Sequence, residues 1–257
     1  MPLMASRRGK QFAFGFLYLL VITVIATAVY LTFLTPNPTC SDGKKNQNEE
    51  EIDCGGSCTS CEVNDLAIIV REKRYFDLSR LQKTTFYLRF ENPTTEFWVE
   101  KFDYTLNVYN TLGARVGSFS GSSSIAPAGS RTIAIVAADI DAKDISRTDL
   151  GVMNPEWTPL LEYHVDGVSI SEVKTQIISG DRIHISGVAT NNVAATAKKL
   201  DITAVFKDKN SQVVNASMTT VSDVPSFSKK SFEIFLTPNQ ISQIDATKTE
   251  ILIEVTR

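Results

Sequence analysis

The sequence predicts a mainly β protein: an N-terminal transmembrane helix, a short Cys-rich module, and two tandem antiparallel β-sandwich domains. Three observations carry that expectation. One long uncharged apolar run, Phe12 to Leu34, stands near the N-terminus. All four cysteines, Cys40, Cys54, Cys58 and Cys61, follow it in one short stretch. Beyond Asn64 the pattern changes to short alternating runs between turn residues, and their order recurs about 98 residues later.

As a helix, residues 12–34 reach roughly 35 Å, enough to cross a hydrocarbon core with some tilt. Pro36 and Pro38 then stop the helix. Arg7, Arg8 and Lys10 precede the run, whereas no Lys or Arg follows it before Lys44. This bias places residues 1–11 in the cytoplasm as a stub and everything after Leu34 outside. The expected location is therefore the cell membrane, single-pass, with the N-terminus inside. A cleaved signal peptide competes, with Ala26-Thr27-Ala28 as its cleavage site. The length of the run and its continuation past Ala28 favour an uncleaved anchor.

Residues 35–64 cannot bury a core of their own. Outside the cytoplasm, an even number of closely spaced cysteines calls for disulfides, here two, with three possible connectivities. Two metal readings compete. Four thiolates, two of them in Cys58-x-x-Cys61, would suit tetrahedral zinc. Asp42, Asn46, Asn48, Glu51 and Asp53 offer hard oxygens to calcium. The long gap from Cys40 to Cys54 counts against zinc. Gly43 directly after Asp42 departs from a calcium loop. The stretch Cys40, Asp42, Gly43, Asn46, Glu49, Asp53, Cys54, Gly55, Gly56, Cys58, Cys61 resembles a small Cys-rich motif of bacterial secreted and surface proteins. That resemblance implies export and a compact spacer, not an activity.

The sandwiches are expected over residues 65–160 and 161–257. Phe86, Leu88 and Phe90 alternate with Tyr87, Arg89 and Glu91, the pattern of a half-buried strand. Phe102, Tyr104, Leu106 and Val108 form a second inward set after the Asn92-Pro93-Thr94 turn. Further strands are expected at Leu66–Val70, Val116–Ser120 and Thr132–Val136, and helical turns near Asp139–Ser146 and Asn239–Gln243. In the second copy, Leu200 to Phe206 answers to Phe102 to Val108, Pro225 to Pro127, and Asn191-Asn192 to Asn92. The run Ser118–Ser124 reads as a flexible hairpin or loop. The proline-rich segment Asn154–Pro159 closes the first copy, with Trp157 packed at a joint where the sandwiches meet end to end.

Within each copy a hydrophobic strand enters a polar turn and resumes with Val: Val108-Tyr109-Asn110 to Val116, and Phe206-Lys207-Asp208 to Val213. This is similar to the FxLYD family of bacterial Ig-like modules. Asn110 replaces that family's Asp, and Lys207 interrupts the motif. The resemblance implies exported, tandem, non-catalytic Ig-like sandwiches.

The chemistry of catalysis is not in evidence. Net charge is −3, with Lys and Arg scattered among Asp and Glu, so no basic stripe invites nucleic acid. The cluster Arg71, Lys73, Arg74 reads as a solvated strand edge. The two histidines, His164 and His184, sit outside any nucleophile, zinc or phosphate-loop motif. No enzyme and no cofactor is expected. The expected role is that of a structural or interaction protein of the envelope, with the membrane and a protein or cell-wall partner. The alternatives are a sensor or solute-binding ectodomain, which needs a polar pocket within or between the sandwiches, and a calcium- or zinc-binding surface protein.

Overall fold

The computed structural model describes residues 7–30, 39–46, 48–163, 167–178, 182–239 and 241–256. The chain divides into two compact units, Met1–Asp65 and Leu66–Arg257. In the first, helix α1 spans Arg7–Val29. Large apolar side chains are exposed along it, among them Phe12, Phe14, Phe16, Leu19 and Ile22. Among the described residues, no helix is long and apolar enough to cross a membrane. The uncharged part of α1, Phe12–Val29, reaches about 27 Å, short of a typical hydrocarbon core. The run continues to Leu34, and residues 31–38, with Pro36 and Pro38, lie outside the described part.

Among its described residues, the second unit has twelve strands in four three-stranded sheets. In order, β1 is Ile69–Leu78, β2 Lys83–Glu91, β3 Phe97–Tyr109, β4 Arg115–Ile125, β5 Ser130–Ala138 and β6 Arg147–Pro159. Then come β7 Val168–Ile178, β8 Arg182–Asn191, β9 Ala197–Lys207, β10 Val213–Val224, β11 Lys229–Leu236 and β12 Glu250–Thr256. Sheets β1-β2-β5 and β4-β3-β6 make one sandwich-like half; β7-β8-β11 and β10-β9-β12 make the other. The strand order of one half is repeated in the other, and neighbouring strands in each sheet pair antiparallel. The internal repeat legible in the sequence is thus a repeat of topology.

Local chemistry repeats as well. The side chains of Asn92 and Asn191 are both fully buried. Asn92 Nδ2 donates to the carbonyls of Phe97 and Ala126. Asn191 Nδ2 serves those of Ala195, Val224 and Pro225. Each amide ties its β-turn to the neighbouring hairpin and satisfies carbonyls that water cannot reach. Asn110 Oδ1 and Asp208 Oδ1 each accept two backbone N–H groups of the following hairpin turn. Short 3-10 turns at Ala142–Asp144 and Ala246–Lys248 carry aspartate N-caps, Asp141 and Asp245. An Asn191→Ala substitution leaves three carbonyls without their donor and is expected to cost about 1–3 kcal/mol. Asn92→Ala should cost a similar amount, and denaturant titration checks both.

Three apolar clusters hold the sheets. The first lies inside the first half and includes Phe86, Leu88, Phe90, Phe102, Leu106 and Ile125. The second fills the other half with Ile183, Ile185, Leu200, Ile202, Phe206 and Ile234, and also takes in Leu78 from β1. The third joins Tyr87 and Ala134 of β2 and β5 to Val205 and Ala216 of β9 and β10. Sheet β1-β2-β5 therefore stacks on sheet β10-β9-β12, and the four sheets form successive layers. The halves meet face to face, not end to end.

That contact corrects the reading of β2 as half-buried. Tyr87, on the face opposite Phe86 and Leu88, is only 2% exposed because the second half covers it. Trp157 does not mark a joint either. It lies within β6 and packs, half-buried, on the core of the first half. Ser118–Ser124 is the body of β4, not a loop. Its hydroxyls find cross-strand partners on β3: Ser118 donates to Asn107, Ser120 pairs with Thr105, and Ser122 donates to Asp103. Such pairs stabilise a polar face. The first strand begins at Ile69 and runs on to Leu78, so Arg71, Lys73 and Arg74 do lie on a sheet edge.

Candidate functional site

The cysteine module is closed by two disulfides, Cys40–Cys58 and Cys54–Cys61. Its carboxylates are turned inward onto the backbone. Both oxygens of Asp53 accept from the Gly43 N–H, and Oδ1 also accepts from that of Asp42. Asp42 accepts from the Lys44 N–H and the Asn46 amide. Glu49, 5% exposed, accepts from the N–H groups of Asn46 and Asp53 through Oε2. Its Oε1 lies 3.4 Å from Cys58 Sγ. That sulfur is in a disulfide and has no proton to donate, so this is a packing contact. Gly56 has φ +61°, and a Cβ there would lie 2.1 Å from the Asn48 carbonyl oxygen. The Asp, Asn, Glu and Gly positions of the motif are each accounted for by the loop's own construction.

Of the five oxygen-bearing residues proposed for calcium, Asp42, Asn46 and Asp53 are gathered around one turn by these bonds. Asn48 and Glu51 are exposed, and Glu51 pairs instead through its backbone with Cys54. The zinc reading needs free thiolates, and all four sulfurs are paired.

The Asn46 amide, the largest influence, holds the Asp42 carboxyl below its ordinary value, while desolvation opposes it and the Lys44 N–H assists. A lowered folded value means that this group favours the folded loop above the unfolded carboxyl value, about 3.9. The contribution is lost as pH falls through the folded value. Asn46→Ala is expected to raise the Asp42 titration midpoint, read from its carboxyl carbon shift by NMR.

In the second unit the two halves enclose a cleft of about 690 Å³. Trp98, Ser123, Arg131 and Tyr163 line it from one side, Ile253 and Glu254 from the other. Trp98 and Tyr163 meet edge to face, with ring centroids 5.4 Å apart. Arg131 donates to the carbonyls of Ser124 (2.7 Å) and Ile253 (3.3 Å) and stands 3.9 Å from the Glu254 carboxylate. Ser123 Oγ donates to that same carboxylate. This network crosses from β4 and β5 to β12, so the polar groups of the cleft first serve to clamp the halves together. A second cleft, about 330 Å³, continues beside Tyr104, Thr132, Asp201 and Met218. Burial raises the Tyr104 phenol above its ordinary value, with Glu254 and Asp201 adding to the effect.

His184 faces outward from β8, as its place between two isoleucines requires. It is not a plain surface residue: its ring stacks on Phe235 at 4.7 Å, and Glu233 stands 3.5 Å away. Arg182 covers the same phenyl ring. His164 lies outside the described residues. Sequence reasoning missed the Arg131–Ser123–Glu254 clamp, because its members are far apart in the chain and none belongs to a motif.

No protein family matches the chain, and no curated protein does. Among solved structures, red sea bream transglutaminase is similar at 10% identity and a TM-score of 0.23, over 72% of this chain and 31% of that one. The chain thus spans under a third of the transglutaminase. The tandem CBM22-1-CBM22-2 domain of Paenibacillus barcinonensis Xyn10C is similar at 6% identity and a TM-score of 0.16, over 76% and 88% of the two chains. Likeness at these scores says nothing about what this chain does.

Proposed function

We propose that this chain is a single-pass, membrane-anchored structural or interaction protein that presents two Ig-like sandwiches outside the cytoplasm to envelope or surface partners. The observation that carries this reading is the succession of an apolar helix and a disulfide-closed module. Helix α1 exposes apolar side chains along its length, as a lipid-facing helix does. Extended through Leu34, its uncharged run reaches roughly 35 Å, enough for a bilayer core. The module then depends on two disulfides, which form in exported proteins and seldom persist in the cytosol.

The sandwiches fit a non-catalytic role. His184, the one histidine among the described residues, is engaged by Phe235, and the cleft's Arg131 and Glu254 hold the two halves together. The strand order of each half, β1-β2-β5 facing β4-β3-β6, is compatible with an Ig-like sandwich. The clefts between the halves favour a second reading, a solute-binding ectodomain.

The test is membrane fractionation of cells making the full chain, followed by protease treatment of the intact cells. The proposal expects the chain to stay with the membrane after an alkaline carbonate wash, and its β unit to be cut only by protease added outside. Release by carbonate, or protection of the β unit in intact cells that lysis removes, would contradict it.

A further inference from the structure

The cleft between the halves, about 690 Å³, falls within the roughly 300–1,000 Å³ of small-molecule sites. Its walls combine three kinds of surface. Trp98 and Tyr163 give an aromatic corner, their rings edge to face. Ser122, Ser124 and Ser130 give a run of hydroxyls. Ile253 and Val255 of β12 give apolar contact from the opposite half. The smaller cleft of about 330 Å³ adjoins it at Ser122 and Glu254 and takes in Tyr104. From Trp98 to Tyr104 along β3 is about 20 Å at the rise of a strand. The space is therefore elongated and suits a short chain better than a single compact molecule.

The charges of the cleft are already committed. Lys101 stands 4.0 Å from Glu156, and Arg131 stands 3.9 Å from Glu254. Glu100 accepts from the Thr158 hydroxyl. An ionic ligand would have to break these pairs, and a purely apolar one would bury polar groups of the walls without partners. Hydrogen-bonding capacity is nevertheless left over. Glu254 accepts from Ser123 through Oε1, so its second oxygen can take another donor. Ser124 Oγ accepts from Arg131 and keeps its own proton to give. Ser130 is exposed on the rim formed by β5. Arg131 and Glu254 are fixed by the clamp between the halves, so these groups are in place before a ligand arrives. A ligand that matches is uncharged, has hydroxyls that both donate and accept, and offers C–H faces to aromatic and aliphatic side chains. A sugar chain has all three properties.

We infer, on the solute-binding reading of this cleft, that it binds a neutral oligosaccharide. One sugar ring lies against Trp98 and Tyr163, and hydroxyls of the chain bond to Glu254, Ser124 and Ser130. The membrane span has no part in this, because these residues all belong to the β unit.

The test is isothermal titration calorimetry on the full chain in phospholipid nanodiscs, since many detergents carry sugar head groups of their own. Cellotetraose, mannotetraose and chitotetraose are the probes. At least one should bind, with an affinity unchanged by added salt. Trp98→Ala should abolish the heat. Ser130→Tyr, which fills the cleft from an exposed position on the other wall, should abolish it too while keeping the parent's thermal midpoint. No heat with any sugar probe, binding that survives both substitutions, or binding that salt removes would each overturn the inference. Glycyl-leucine and alanyl-glutamine, titrated in the same way, separate this from failure of the solute reading itself. A dipeptide that binds and loses its heat in Trp98→Ala leaves a solute site of another class, whereas silence from every probe leaves none.

Discussion

Truncating Phe90 to alanine should destabilise the whole β unit by about 3–5 kcal/mol and lower one unfolding transition, not the first of two. Phe90 is fully buried, and its ring lies 5.1 Å from that of Phe102 and 6.2 Å from that of Tyr104. The loss is a large share of a domain's total stability, which is typically 5–15 kcal/mol. The effect should spread because the halves share buried surface. Strand β2, which carries Phe90 toward one core, carries Tyr87 into the contact with β9 and β10. Leu78 at the end of β1 packs within the second half's own cluster, and Asn239 Nδ2 donates to the Asp77 carbonyl beside it at 2.7 Å.

Two probes separate the outcomes. Both tryptophans, Trp98 and Trp157, lie in the first half, so their fluorescence reports on it, while far-ultraviolet circular dichroism reports on both. The two curves should coincide and shift together. A dichroism transition left at the unmodified midpoint would mean that the halves fold independently.

Replacing Cys54 and Cys61 together by serine should unfold the cysteine module while leaving the β unit's transition unmoved. Loss of a native disulfide from a small exported module typically costs 2–5 kcal/mol. Little apolar burial offsets that: among the module's described residues, Cys54 is the one buried hydrophobic side chain. What remains is a set of turns whose carboxylates, Asp42, Glu49 and Asp53, need the loop closed to reach their N–H donors. The readout is limited proteolysis, with cleavage expected between Asp42 and Glu62 in the variant and not in the parent. Leu66–Arg257 is a separate compact unit, so a falling β-unit midpoint in the same variant would count against this account.

Much of the fold was legible because it rests on local chemistry. Alternation in Phe86–Phe90 and Phe102–Val108 locates strands, since only inward residues need be apolar. The pairing of Asn92 with Asn191 marks equivalent turns, because each buried amide performs the same bonding. The cysteine spacing pointed to two disulfides but left their connectivity open, which depends on how the Gly55-Gly56 turn folds back on Asn48. The packing of the halves was not legible. Tyr87, Val205 and Ala216 look like ordinary outward positions, and their burial depends on a sheet more than a hundred residues away. Ser118–Ser124 misled for a related reason: serine and glycine suit a loop in isolation, and become a strand when Asn107, Thr105 and Asp103 stand opposite. The clamp from Arg131 to Glu254 is legible only once the layers are assembled.

The most direct test of the central claim, an extracytoplasmic chain held beside the membrane by a disulfide-closed module, is thiol labelling of cells making the full protein. Cells are denatured in acid to freeze thiol exchange, then treated with a mass-adding maleimide before or after reduction. The account predicts no label on Cys40, Cys54, Cys58 or Cys61 before reduction, and four labels after it. Four labels without reductant would contradict the account, since the module would then be reduced in the cell and the domains beyond it would not have left the cytoplasm.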